Sequence, residues 1–90
     1  MTTVRIPPVL RAQVGDAKQV QASGDTVGEV IGQLVAQHPS LREQLFTDDG
    51  QLNRFVNVYL NGQDVRYLRE LDTPVEVQDT LVLLPAMAGG

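Results

Sequence analysis

The sequence contains no cysteine. Without a thiol there is no disulfide framework, no thiolate metal site, no catalytic cysteine and no persulfide on this chain, which suits a reducing compartment. Any sulfur chemistry must therefore use another atom. His38 is the only histidine, so no His or Cys cluster exists to hold a metal; its place near a helix C-terminus is electrostatically favourable. Basic residues are scarce as well: Lys+Arg number 7 against 11 Asp+Glu, a formal net charge of -4. That balance is a poor match for nucleic-acid phosphates and favours partners with basic patches. No stretch approaches the roughly 20 apolar residues that span a bilayer, and "MTTVRIPPVL" lacks a cationic segment followed by a long apolar run. The expectation is a cytoplasmic protein that binds neither membrane nor nucleic acid. There is no internal repeat and no low-complexity linker.

What is present is ordinary globular material, 42% apolar and 20% charged over 90 residues. A chain of this length buries roughly 60–65% of its unfolded surface, enough for one small core. "TVRIPPVL" carries the strand-like set Val4, Ile6, Val9 and Leu10, interrupted by Pro7 and Pro8, which restrict it to an edge, a bulge or a strand end. A turn at Gly15-Asp16 leads to a second extended piece, "KQVQASGD", antiparallel to the first.

"DTVGEVIGQLVAQHP" is the clearest helix. Thr26 and Glu29 have the spacing of a capping box, and Val27, Val30, Ile31, Leu34 and Val35 form one apolar face. Gly28 and Gly32 each cost such a helix roughly 0.5–1 kcal/mol relative to Ala, so it depends on packing. No strand-to-helix phosphate loop surrounds these glycines, which excludes a nucleotide site. Pro39 ends the helix, "SLREQLF" adds a short helical turn, and "TDDG" closes the loop.

Asn61-Gly62 between two extended runs marks a hairpin, because both residues tolerate positive φ. Alternation separates Val56, Val58 and Leu60 from Phe55, Asn57 and Tyr59, and in the last strand Leu81 and Leu83 from Val82 and Leu84. The order is strand, strand, helix, strand, short strand, strand. This predicts an α+β domain in which a mixed sheet packs on one main helix; with the first and last strands central and parallel, the fold would be a β-grasp. Residues 1–85 would form the domain and residues 86–90 a flexible tail.

The helix start "GDTVGEVI", the hairpin "FVNVYLNGQDVR" and the ending "TLVLLPAMAGG" resemble the ubiquitin-like bacterial sulfur-carrier proteins over essentially the whole chain. Within that superfamily, which includes the thiamine-pathway carrier and the molybdopterin-synthase small subunit, "ASGDTVG", "RFVN", "DVR" and "LPAMAGG" are most similar to the carrier for cysteine biosynthesis. The physical reading of the ending agrees. Pro85 stops strand pairing, and Ala86, Met87, Ala88, Gly89 and Gly90 reach roughly 16–18 Å when extended. Glycines at Gly89 and Gly90 lack Cβ and so fit a narrow channel. A carboxylate is a poor acyl donor until it is joined to a phosphate.

The resemblance implies that a ubiquitin-activating-like adenylyltransferase uses ATP and magnesium to adenylate Gly90, and that a persulfide donor then converts it to a thiocarboxylate. In the cysteine branch a synthase dependent on pyridoxal phosphate is the sulfur acceptor and a zinc-dependent peptidase releases the product; thiosugar pathways are other destinations. The chain is then a co-substrate, not an enzyme. It is a monomer when free and binds no cofactor itself, and ATP, magnesium, pyridoxal phosphate and zinc belong to its partners. Met87 reads either as an anchor for a partner's pocket or as a surface residue. Phe55, Tyr59, Val82 and Leu84 read either as an apolar docking patch beside the tail or as cross-strand packing. Arg54, Arg66 and Arg69 read as surface charge or as contacts to a partner. Two alternatives remain for the whole chain: a molybdopterin-synthase small subunit, and a modifier forming isopeptide bonds, with Lys18 the only lysine on which it can chain.

Overall fold

The structure, a computed structural model, describes residues 1–49, 52–53 and 56–85, with Pro85 as backbone only. Strand β1 (Thr2–Arg5) opens the chain and is followed by a 3-10 helix over Pro8–Val14. The strand-like spacing of Val9 and Leu10 is not realised there. Proline's fixed φ and missing N–H suit the first helical turn, so Pro8 starts a helix where the ladder must stop. Leu10 and Val14 turn into the core, and Val9 is left 62% exposed. Gly15 and Asp16, at φ 66° and 65°, reverse the chain into β2 (Gln19–Ala22).

Helix α1 (Val27–Gln37) buries Val27, Val30, Ile31, Leu34 and Val35, the stripe its spacing predicts. The Thr26 hydroxyl accepts the Glu29 N–H at 3.2 Å. The Glu29 carboxylate returns the bond one residue earlier than in an ideal capping box, accepting the Asp25 N–H at 3.1 Å. The two helical glycines differ in purpose. A Cβ on Gly28 would sit 3.0 Å from the Leu71 carbonyl oxygen, because the 3-10 turn Glu70–Asp72 lies directly against the helix. Gly32 faces open space. Gly32→Ala is therefore expected to stabilise the protein by about 0.5–1 kcal/mol, visible as a higher Tm, whereas Gly28→Ala gains nothing or loses stability. Equal shifts for both would refute the close approach at Gly28. Helix α1 ends at His38, the residue before Pro39, and Pro39–Leu41 forms a 3-10 turn that leads into α2 (Arg42–Leu45).

The remaining strands are β3 (Val56–Leu60), β4 (Gln63–Asp64) and β5 (Thr80–Pro85). The sheet order is β2-β1-β5-β3-β4. Strands β1 and β5 run parallel, and β1–β2, β3–β5 and β3–β4 are antiparallel. At the hairpin, Asn61 and Gly62 adopt φ 52° and 89°, as the tight turn requires. Val4, Val58, Leu81 and Leu83 from the sheet share one core with the α1 stripe and with Leu41 and Leu45. The mixed sheet on one main helix, with β1 and β5 adjacent and parallel, is the β-grasp that the sequence predicts.

Candidate functional site

Strand β5 is the axis of the site, since it carries the chain towards the tail. Its alternation is two-sided: Leu81 and Leu83 are fully buried, Val82 is half-buried and Leu84 is 42% exposed. Directly paired residues share a sheet face. Tyr59 lies opposite Val82, Asn57 opposite Leu84, and Arg5 beside Val82 on the other flank. Tyr59, Val82 and Leu84 thus occupy one outer face, and Tyr59 is itself half-buried. Phe55 and Arg54 lie outside the described residues, as do Ala86, Met87, Ala88, Gly89 and Gly90; Pro85 is placed only as the end of β5, opposite Val56.

Arginines stand around this end of the strand. Arg66 donates a guanidinium hydrogen bond at 3.3 Å to the carbonyl of Val56, the residue that pairs with Pro85. Its backbone N–H is held at 2.9 Å by the Asp64 carboxylate, which caps the 3-10 turn Val65–Tyr67. Across β5, a groove is lined by Arg5, Pro7, Pro8, Arg11, Val82 and Leu84, among others. Arg11 is oriented by a 3.0 Å bond from its Nε to the Ile6 carbonyl. Arg69 is placed differently, its backbone N–H bonding the buried Thr73 hydroxyl at 2.9 Å. Arg5 and Arg11 were not singled out from the sequence. Only the parallel pairing of β1 with β5, which no local pattern announces, brings them to the tail's root.

The other end of β5 is clamped. The Asn61 side chain donates to Asp79 at 3.0 Å and accepts the Thr80 N–H at 3.0 Å, while the Asn61 N–H bonds the Thr80 carbonyl. The second Asp79 oxygen accepts the Glu76 N–H at 2.8 Å. One turn residue therefore fixes both the hairpin and the register of β5. The Asn61 bond, followed by the Glu76 N–H, lowers the Asp79 pKa below its ordinary value, against a small opposing effect of burial. A folded pKa below the unfolded one means that this contribution is complete above the unfolded value of about 3.9 and is lost as pH falls through the folded one. Asp79→Asn is expected to lower stability at neutral pH and to narrow its gap to the wild type across that acid window. Parallel acid-denaturation curves would contradict this.

Among the described residues no group of three or more His, Asp or Glu side chains is placed to hold a metal ion. No described helix is long and apolar enough to cross a membrane.

A β-grasp whose central strand runs out towards a small-residue ending defines a ubiquitin-like domain. The ThiS family matches residues 4–90, and the chain belongs to that family. It is 46% identical over 90 residues to the sulfur carrier protein CysO of Mycobacterium tuberculosis, covering 98% of this chain and 97% of that protein. The crystal structure of the Amycolatopsis orientalis BexX/CysO complex contains a chain that superposes with a TM-score of 0.91 at 42% identity, covering 100% of both chains. Small archaeal modifier protein 1 of Haloferax volcanii is 37% identical over 73 residues, covering 80% of this chain and 79% of the relative.

Proposed function

We propose that this chain carries sulfur as a thiocarboxylate on Gly90. The observation that carries the reading is the 46% identity to the sulfur carrier CysO over nearly the full length, in a sequence that carries Gly89-Gly90. The chemistry follows from the carboxylate. An activating enzyme joins it to the α-phosphate of ATP, with magnesium, and releases pyrophosphate. The terminal sulfur of a persulfide donor then displaces AMP to give an acyl disulfide, and a thiol on the activating machinery cleaves its S–S bond, releasing the thiocarboxylate and leaving a disulfide behind. The protein contributes an extended arm that delivers the acyl group and a folded domain that partners recognise. Pro85, Ala86, Met87, Ala88 and Gly89 form the arm, and Tyr59, Val82 and Leu84, with Phe55, form the adjoining contact face. Residues 1–85 act as the domain and residues 86–90 as its flexible tail.

The favoured acceptor is a cysteine-forming synthase dependent on pyridoxal phosphate, with a zinc-dependent peptidase releasing the product; this is supported by the likeness to CysO. The Amycolatopsis CysO was crystallised with BexX, which supports docking to a second protein and leaves a thiosugar acceptor as the comparison to run. Intact-protein mass spectrometry tests the central step. With the activating enzyme, ATP, magnesium and a sulfur source, the mass should rise by the difference between sulfur and oxygen. An unchanged mass, under conditions that convert a known carrier, refutes the proposal. A modifier role has its own support in the archaeal modifier relatives, and Gly90 found in amide linkage to lysines of other proteins would establish it.

A further inference from the structure

The groove beside the C-terminal half of β5 departs from the charge of the molecule. Its lining includes Arg5 and Arg11 and no carboxylate, on a chain of net charge -4. Arg5 is exposed, and neither arginine has a carboxylate partner among the described residues. Pro7 and Pro8 have no N–H to give, so pairing between β1 and β5 ends at Arg5 and Val82 and the chain turns away into its 3-10 helix. This leaves space beside Leu83 and the exposed Leu84.

Of the acids, Glu76 and Asp79 precede the start of β5, Asp25 and Glu29 lie at the start of α1, and Glu70 and Asp72 lie in the turn against that helix; Asp16 lies nearer, its N–H bonded to the Arg11 carbonyl at 2.7 Å. Along β5 itself the two ends differ in sign, with Arg5 beside Val82 and Asp79 immediately before Thr80. A partner with an acidic rim is drawn to the positive end and repelled from the other, which orients its approach. Arginine over an apolar floor is also the composition of strong interface contacts. A nucleic acid does not fit, because two arginines cannot offset the repulsion of its phosphates by the remaining acids.

We propose that this groove receives an acidic segment of the activating enzyme, with carboxylates paired to Arg5 and Arg11 and apolar side chains against Val82 and Leu84. The proposal rests on the carrier reading. Whichever protein takes in Gly90 must bring the mouth of its channel against the root of the tail, where this groove lies.

The test is steady-state thiocarboxylation by the activating enzyme at varied carrier concentration, comparing wild type with Arg5→Glu, Arg5→Gln, Arg11→Glu and Arg42→Glu. Arg42 is an exposed arginine on α2 and controls for the change in net charge. Arg5→Glu and Arg11→Glu are expected to raise KM at least tenfold with kcat unchanged, Arg5→Gln less, and Arg42→Glu under twofold. Added salt should raise the wild-type KM towards that of the Arg5 variants. Because Arg11 also bonds the Ile6 carbonyl, its variant is compared by Tm, and Arg5→Glu decides the matter if Arg11→Glu unfolds. Arg5→Glu indistinguishable from Arg42→Glu overturns the groove and leaves the carrier reading intact. No conversion of wild type at any concentration overturns both.

Discussion

A chain stopped at Gly89, or continued by one alanine past Gly90, is expected to lose at least 100-fold in thiocarboxylate formation while melting at the wild-type temperature. The two halves of this expectation have separate causes. Reactivity depends on where the terminal carboxyl carbon lies relative to the nucleotide phosphate. Removing one residue withdraws it by about 3.3–3.6 Å. An added alanine carries it past that point and brings a Cβ into a channel that fits glycine. Displacements of about 1 Å already cost roughly 100-fold in well-positioned reactions. Stability, by contrast, depends on the core, whose last member among the described residues is Leu83. Mass spectrometry reads the first half and thermal denaturation the second. Full conversion of either variant would remove Gly90 from the mechanism, and a large fall in Tm would show that the ending takes part in the fold.

Leu81→Ala should have the largest effect on stability, a loss of about 2–5 kcal/mol. Leu81 is fully buried in the central strand, beside Val4 of β1 and Leu60 of β3, so both flanking strands resist collapse into the void. Against a total stability of about 5–15 kcal/mol for a small domain, this is a large fraction. Leu84→Ala, three residues on and on the outer face, should cost well under 1 kcal/mol, because the side chain already meets solvent. Urea denaturation followed by circular dichroism separates the two. Comparable losses would mean that the two faces of β5 have been interchanged.

The features legible in the sequence are those in which a local pattern and the final packing agree. The stripe on α1, the Thr26 cap, the Asn61-Gly62 turn and the two-sided alternation of β5 each draw on residues within a few positions of one another. Misreadings arise where distance or competition decides. Val9 and Leu10 kept the spacing of a strand, but the two prolines before them gave the backbone to a 3-10 helix. Glu29 had the capping-box position, yet its carboxylate reached Asp25. Gly28 weakens the helix by propensity alone, but Leu71 packs against it where a Cβ would stand. Within the site, the outer placement of Tyr59, Val82 and Leu84 follows from period two. The Asn61 clamp on Asp79 and the meeting of Arg5 with Val82 depend on strand register across long stretches of chain, where side-chain type alone gives no signal.

The order of the sheet has a consequence for a newly made chain. Strands β1 and β3 do not pair with each other; each is joined to the sheet through β5. Before Thr80–Pro85 leaves the ribosome, the strands can form only two separate hairpins, and isolated hairpins of this kind are marginal in water. Folding therefore waits for the segment that also bears the root of the tail. Closure of the core and the placing of Pro85, after which residues 86–90 follow in the sequence, become one event.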